Sequence, residues 1–226
     1  MARIVFHGHA CFEIVTNDAH RLLIDPFLSG NPQTDVGPEA FERLDLLLVS
    51  HGHGDHLGDA VKIARRTHAP VLSTYELAAY VAKEAGVDAI GMNVGGQVRL
   101  PFGRVKLVPA IHTGSIGDTG RYATPVGFWI ALEGGPRIYH AGDTALTMDM
   151  QLLRGQVDVA LLPIGDYFTM GIEDAARAVE WIEPMVVVPM HYNTMKVIEQ
   201  DPEAFRRAVA DRAEVRVLRP GEVLEV

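Results

Sequence analysis

The segment from Ser50 to His56 concentrates side chains that commonly bind metal ions. Its sequence is Ser-His-Gly-His-Gly-Asp-His, which contains three imidazoles and one carboxylate. Imidazole nitrogens and carboxylate oxygens bind zinc and also accommodate manganese, iron, cobalt or nickel. A divalent cation lowers the pKa of water and stabilises negative charge on an attacked carbonyl or phosphoryl group. The segment therefore predicts a metal site with hydrolytic chemistry, and zinc is the first expectation.

The spacing within this segment suits more than one cation. His51 and His53 are two positions apart, so an extended chain directs both rings to the same side. Asp55 and His56 are adjacent, and their side chains diverge where a helix begins. The two intervening glycines leave space for a tight loop. The alternatives are an exposed polar turn with fortuitous histidines and a single structural metal site.

Three more candidate ligands follow strand-like segments further along the chain. His112 ends one such segment, Asp143 lies in the sequence His-Ala-Gly-Asp-Thr, and His191 follows the apolar residues 185–188. Considered singly, each has an ordinary structural alternative. His112 or His191 could be a loop or core histidine, and Asp143 could cap a helix beginning at Ala145.

The elements that must position these residues alternate between strands and helices. Runs of aromatic, β-branched and apolar residues predict strands, and apolar residues at helical spacing predict helices. The predicted strands are 3–15, 21–27, 44–49, 70–73, 97–112 with a turn at 101–103, 126–132, 137–140, 157–164, 185–189 and 215–218. The predicted helices are 57–67, 76–86, 145–154, 172–182 and 202–213. This order favours a helix-covered β-sandwich.

Composition and charge disfavour several classes of protein. The chain has 226 residues, 48% of them hydrophobic, and no repeat or low-complexity linker, so residues 1–226 are expected to form a single domain. It has no run of ~20 apolar residues and no export signal, so we expect no membrane insertion. Cys11 is the only cysteine, which excludes an intrachain disulfide and suits the reducing cytoplasm. The formal net charge of -9 gives no general attraction to nucleic acid.

The motif His-x-His-x-Asp-His at residues 51–56 resembles the metallo-β-lactamase superfamily, and the resemblance covers nearly the whole chain. It implies the α/β (α+β) metallo-β-lactamase fold, a four-layer αββα sandwich. It also implies two divalent metal ions per chain with Asp143 bridging them. The other ligands would be His51, His53 and His112 for one ion and Asp55, His56 and His191 for the other. A hydroxide bridging the ions would attack the substrate, and Asp55 would orient it and help to transfer a proton.

The N-terminal sequence His7-Gly8-His9-Ala10-Cys11 is similar to one branch of this superfamily. That branch contains uncharacterised metal-dependent hydrolases and relatives of ascorbate-phosphate lactonase and N-acyl-phosphatidylethanolamine phospholipase. The matching Gly8-His9 implies that His9 lines the active site as a catalytic residue, with a hydrogen-bonded structural histidine as the alternative. In a strand, His7, His9 and Cys11 would face one side. We expect Cys11 to be a packed small residue.

Polar residues close to the candidate ligands are candidates for substrate contacts. They are Thr144, Tyr167, Thr169, Tyr192 and Asn193. The segment 165–171 follows a predicted strand and precedes a helix, as pocket-forming loops often do. Its residues 168–171 match the same branch, whereas Asp166-Tyr167 departs from the pattern and leaves substrate preference open. The structural alternatives are helix capping, a backbone-binding turn and a packed connection.

Together these features predict a metal-dependent hydrolase that cleaves an ester, lactone, amide or phosphodiester bond of a small molecule. Nucleic acid is disfavoured as a partner because the chain is acidic and has no basic insertion. Two alternatives are an iron-dependent oxidoreductase of the same fold and a non-catalytic metal-binding protein. The sequence leaves the formation of a homo-oligomer open.

Overall fold

The structure, a computed structural model, describes residues 1–226 and contains two seven-stranded sheets. The strands are β1 (Arg3–Phe6), β2 (Phe12–Val15), β3 (Arg21–Ile24), β4 (Leu46–Leu48), β5 (Val71–Thr74), β6 (Ala89–Met92), β7 (Gln97–Leu100), β8 (Gly103–Pro109), β9 (Val126–Leu132), β10 (Arg137–His140), β11 (Val159–Pro163), β12 (Val186–Met190), β13 (Glu214–Val215) and β14 (Val223–Glu225). The helices are α1 (Gly54–Leu57), α2 (Ala60–Thr67), α3 (Tyr75–Ala85), α4 (Ile172–Ile182) and α5 (Pro202–Val209). Short 3-10 turns lie at Pro38–Ala40, Met148–Leu153, Lys196–Ile198 and Ala210–Arg212.

The two sheets have the same construction. The first has the strand order β14-β1-β2-β3-β4-β5-β6 and the second the order β13-β12-β11-β10-β9-β8-β7. Each sheet combines an antiparallel part with a parallel part. The parallel strands are β3 to β6 in the first sheet and β10 to β13 in the second. Strand β14 returns from the end of the chain to pair with β1. Because parallel strands end at the same edge, the loops after them lie side by side.

Two clusters of buried apolar side chains hold the layers together. The larger cluster joins both sheets and extends to α4 and α5 through residues such as Ile24, Phe128 and Phe205. The smaller one packs the other face of the first sheet on α2 and α3 through Leu47 and Ile63. The layers are therefore helix, sheet, sheet and helix, which confirms the predicted αββα sandwich. No helix combines the length and the apolar composition that a membrane crossing requires.

The predicted strand over residues 3–15 is wrong in its middle. Residues 7–11 form a turn in which the Cys11 amide donates to the Gly8 carbonyl at 3.0 Å. Gly8 and His9 both have positive φ, at 97° and 59°. Strand alternation therefore does not hold here, and His7, His9 and Cys11 do not share one strand face. Cys11 is fully buried in the smaller cluster, as expected.

The predicted helix over residues 145–154 is also wrong in its first turn. The Ala145 amide donates to the Ile111 carbonyl at 3.1 Å, which ties this segment to the preceding loop. Only a 3-10 turn forms, at Met148–Leu153. Strands β6 and β14 were not predicted from the sequence, because each has only three or four residues and half-exposed positions.

Phe128 is a test of the core between the sheets. It is fully buried on β9, and we expect Phe128→Ala to lower the free energy of unfolding by about 3–5 kcal/mol, because it removes a large side chain and leaves a cavity. Urea unfolding measures the change. Phe168→Ala removes the same side chain from a half-exposed position, so a loss below about 1 kcal/mol is expected. Equal losses in the two variants would contradict this description of the core.

Candidate metal centre

The histidines of the central motif follow β4 directly and are fixed by close packing. The Val126 amide donates to the Ser50 carbonyl at 3.1 Å, which connects the motif to the second sheet. A Cβ at Gly52 would lie 2.5 Å from the Ser115 carbonyl oxygen and 2.7 Å from the Ile116 Cα. Only glycine fits there, so the backbone between His51 and His53 lies against the loop 114–117.

Helix α1 positions the other two residues of the motif. It begins at Gly54 and ends at Leu57, and it carries Asp55 and His56. Gly58 follows with φ 39°, and a Cβ there would lie 2.4 Å from the Pro26 carbonyl oxygen. This contact places the end of α1 against the loop that follows β3, so that both segments border the same space.

The three remaining candidate ligands come from loops at the ends of three other strands. His112 lies beyond β8, Asp143 beyond β10 and His191 directly after β12. The His191 amide donates to the His9 carbonyl at 2.7 Å, which ties the loop after β12 to the turn between β1 and β2. Loops of both sheets therefore meet at one edge of the sandwich.

All seven predicted ligands come together at this edge. Their ligand atoms form overlapping groups within which every pair lies inside 4.8 Å. One group consists of His51, His53 and His112. Within it, His53 Nδ1 lies 3.0 Å from His51 Nε2 and 3.3 Å from His112 Nε2.

A second group surrounds Asp55, and Asp143 lies between the two groups. The second group contains His9, Asp55, His56 and His191. Asp143 Oδ1 lies 3.2 Å from His56 Nε2, and Asp143 Oδ2 lies 3.0 Å from His191 Nε2. Asp143 Oδ2 also lies 3.5 Å from His112 Nε2 in the first group. The carboxylate thus faces both groups.

Buried atoms without hydrogen-bond partners show that these residues fit divalent cations. His56 Nε2, His191 Nε2 and Asp143 Oδ1 are buried and accept or donate no hydrogen bond, although they face one another. Buried polar atoms are rarely left unpaired. Two nitrogens bound to one zinc ion at about 2.0–2.1 Å stand roughly 3.3 Å apart in a tetrahedral site, which matches the separations observed here.

Asp25 orients two of the histidines and was missed as a functional residue in the sequence. It is fully buried, accepts a hydrogen bond from His56 Nδ1 at 2.8 Å and accepts one from the Ser50 hydroxyl at 2.6 Å. Because the Ser50 hydroxyl donates its proton to Asp25, the Ser50 Oγ accepts a hydrogen bond from His51 Nδ1 at 3.0 Å. Both rings therefore turn Nε2 towards the cluster. A carboxylate at the end of an apolar strand was the available signal.

The electrostatics of Asp143 and His51 favour cation binding. Burial disfavours the charged form of Asp143, but the neighbouring His191 and His56 lower its pKa well below the usual range. Burial, together with the charge of His56, lowers the pKa of His51 well below its ordinary value. Asp143 is thus an anion, and His51 is a neutral imidazole whose lone pair is free for a cation. Burial lowers the pKa of His56 and of His191, but neighbouring carboxylates raise it above its ordinary value, so these two imidazoles would release a proton on binding a cation.

His9 belongs to the second group but does not line the cleft, and its catalytic role stays a prediction. It is fully buried, and its Nε2 lies 3.3 Å from Asp55 Oδ2 while its Nδ1 lies 2.7 Å from the Thr194 hydroxyl. Its ring centroid is 4.0 Å from that of His191. Burial and the charge of His191 lower the pKa of His9 to about 4, so the ring is neutral near pH 7.

A cleft of about 560 Å³ opens above the cluster. His53, Asp55, His112, Asp143 and His191 form its floor. Its walls consist of Phe27, Gly30, Pro32, Thr113, Phe168, Thr194 and Met195. Of these wall residues, only Phe168 lies in a segment that the sequence predicted to form a pocket. Thr113 and Thr194 follow candidate ligands by one and three positions, which was a usable signal.

The five residues predicted to contact substrate do not line this cleft. Thr144 is buried, and its hydroxyl accepts from the Ile111 amide at 3.0 Å, so it supports the loop that carries His112. The side chain of Asn193 bonds the backbone of Gln200. Thr169 donates to the Met170 carbonyl, Tyr192 packs beside the main core and Tyr167 is exposed. Their contact with substrate stays a prediction.

The fold and this cluster define a class of protein. Two helix-covered sheets carry a histidine and aspartate cluster at their common edge, and residues 20–192 match the family described as Beta-lactamase superfamily domain. The chain is a member of that superfamily, which confirms the resemblance seen in the motif.

Full-length relatives narrow the family further. A protein of Thermococcus onnurineus named UPF0173 metal-dependent hydrolase is 49% identical, with 100% of both chains covered. A UPF0173 metal-dependent hydrolase of Thermococcus kodakarensis is 50% identical over 100% of both chains. The structure of Igni18, described as a novel metallo hydrolase of Ignicoccus hospitalis, shares 36% identity at a TM-score of 0.89, covering 99% of this chain and 97% of that one. This chain therefore belongs to the UPF0173 family of metal-dependent hydrolases.

Proposed function

We propose that this hydrolase works with two divalent cations, zinc in the first place, held by the seven residues that converge at the edge of the sandwich. The observation that carries the proposal is the set of buried, unpartnered atoms on His56, His191 and Asp143. One ion would be held by His51, His53 and His112, and the other by Asp55, His56 and His191. Asp143 would contribute to both, since it faces both groups.

The chemistry follows from this set of ligands. When bound, the cations would lower the pKa of water and stabilise negative charge on the attacked group. Asp55 is about a quarter exposed at the cleft, so its carboxylate can accept a proton from a water molecule there. His9, hydrogen-bonded between Thr194 and Asp55, would hold that carboxylate in position.

The proposal also covers the class of substrate and the domain organisation. The cleft volume of about 560 Å³ lies in the range of small-molecule sites, so we propose a small molecule whose ester, lactone, amide or phosphodiester bond is hydrolysed. Residues 1–226 would act as a single domain, because strand ends of both sheets contribute ligands. Cytoplasmic location and the exclusion of nucleic acid stay predictions.

A substrate panel tests the proposed function. The purified protein is stripped with a chelator, reloaded separately with zinc, manganese, iron or cobalt, and assayed on one substrate of each bond class. We expect turnover of at least one class, lost on stripping and restored by reloading, at about two metal ions per chain in the active form. Full turnover in the stripped protein would contradict the proposal. Oxygen consumption by the iron form without hydrolysis would favour the oxidoreductase alternative.

The buried carboxylate of Asp25 provides an independent prediction. Because it fixes the rings of His56 and His51 through hydrogen bonds, we expect Asp25→Ala to weaken metal binding by about 10–100-fold. Competition with a chromophoric chelator measures this change. Asp25→Asn retains one acceptor oxygen and should fall between wild type and alanine. The exposed control Asp149→Asn should leave affinity unchanged, and equal affinities in all variants would contradict the role of Asp25.

A further inference from the structure

Three large apolar side chains line the walls of the cleft above a polar floor. Phe27, Phe168 and Met195 come from three separate loops, yet all three line the same opening. Phe168 is 47% exposed and Met195 is 41% exposed, although large apolar side chains are usually covered. Tyr167 lies outside the lining, and its ring packs edge-on against Phe168 with centroids 4.8 Å apart. Exposed apolar surface at a cleft commonly marks the place where a ligand binds.

The cleft also contains no lysine or arginine. Its twelve lining residues include two carboxylates and three histidines, and none of the cationic side chains of the chain lines it. Lys196 directly follows Met195 in the sequence but is not part of the lining. Phosphate groups are generally bound by arginine forks or lysine ammonium groups in addition to any metal. A phosphodiester, which is anionic, would therefore find no cationic side chain in this cleft.

From these two observations we infer the class of substrate: an uncharged ester or lactone with an apolar chain, bound by Phe27, Phe168 and Met195. This inference rests on the proposed hydrolytic function. The reaction joins the oxygen of water to the carbonyl carbon and breaks the bond from that carbon to the alkoxy oxygen. The leaving oxygen takes up the proton released by water. An ester therefore gives a carboxylic acid and an alcohol, and a lactone gives one hydroxy acid.

Esters of different chain length test this inference directly. The zinc-loaded protein is assayed with p-nitrophenyl acetate, butyrate and octanoate and with bis(p-nitrophenyl) phosphate. We expect kcat/KM to rise roughly twofold to fourfold per methylene until the wall is covered, because each buried methylene favours binding. The phosphodiester should be the poorest substrate. A phosphodiester cleaved faster than every ester would overturn the inference and leave the hydrolase proposal intact.

Two methionines of the chain provide a matched pair of variants. Met195 lines the cleft, whereas Met185 is 72% exposed and lies outside it. Met195→Ser should lower the ratio of octanoate to acetate kcat/KM by roughly fivefold, since the apolar contact is lost. Met185→Ser should leave that ratio unchanged. An unchanged ratio in Met195→Ser and in Phe168→Ser together would overturn the assignment of the wall.

A binding measurement separates this inference from catalysis. Trifluoromethyl ketones with a methyl or a hexyl chain resemble uncharged esters but are not cleaved, and fluorine NMR reports their binding to the metal-loaded protein. The hexyl ketone should bind at least about tenfold more tightly than the methyl ketone to wild type and to Met185→Ser, but not to Met195→Ser. If this pattern holds while no ester is hydrolysed, the proposed function fails and the ligand class stands. Equal binding of the two ketones overturns the ligand class.

Discussion

Asp143→Asn is expected to abolish most hydrolysis and to lower the bound metal from the proposed two ions per chain to one or fewer. The substitution keeps the shape of the side chain but removes the negative charge that faces both groups of ligands. Asp143 Oδ1 lies 3.2 Å from His56 Nε2 and Asp143 Oδ2 lies 3.0 Å from His191 Nε2, so the carboxylate contacts both imidazoles. We expect kcat/KM to fall by more than about 10²-fold. This exceeds the loss of about 10–100-fold that is typical when a residue hydrogen-bonded to a metal ligand is removed.

Metal analysis by mass spectrometry and a kinetic assay on the same preparation measure both effects. Asp149→Asn is the matched control: it makes the same change six positions further along, at an exposed side chain, and should keep full metal and activity. The fold should survive in both variants. An Asp143→Asn protein that retained both metal and turnover would contradict the bridging position of this carboxylate.

Asp55→Asn is expected to lower kcat while the ion proposed for His51, His53 and His112 stays bound. His51, His53 and His112 do not depend on Asp55, so at least about one ion per chain should stay bound. The carboxylate that accepts the proton is lost, and general-base catalysis typically contributes about 10²–10⁴-fold to the rate. We therefore expect kcat to fall by that factor while circular dichroism and melting temperature change little, because the side chain is partly exposed.

The control for this experiment is Asp88→Asn, which changes an exposed aspartate remote from the cleft. Metal content, kcat and melting temperature are measured side by side for the three proteins. Wild-type turnover in Asp55→Asn would exclude Asp55 from the proton transfer. A loss of all metal would instead show that both groups form only as one unit.

Much of the fold follows from short-range patterns in the sequence. Helix α4 begins and ends at the residues predicted from its apolar spacing, and most strands of four or more apolar residues lie within a few residues of the prediction. These segments bury one face or both, so their periodicity carries the information. Strand β14 could not be predicted in this way, since only Leu224 of its three residues is buried. Its formation depends on a long-range pairing with β1.

The turn at residues 7–11 shows where local pattern fails. The abundance of aromatic and β-branched residues predicted a strand over residues 3–15. Instead, the His7 amide donates to the Cys11 carbonyl and the Cys11 amide donates to the Gly8 carbonyl, which closes a turn there. The carbonyl of His9 accepts from the amide of His191, a residue remote in the chain. Backbone conformation at His9 is thus fixed by a tertiary contact, and positive φ for a non-glycine residue is stabilised only by such surroundings.

The sequence by itself determined the kinds of ligand and their motif, because residue types and the spacing of residues 51–56 restrict which metals and geometries are available. The resemblance to the superfamily also predicted that His112, Asp143 and His191 join that motif. Only the tertiary structure decided that Asp25 orients His56 and that Phe27, Phe168 and Met195 share one wall. The physical reason is that ligands and walls come from the ends of strands in two sheets. Which strand ends become neighbours depends on the pairing of strands over long sequence separations, and no local pattern encodes it.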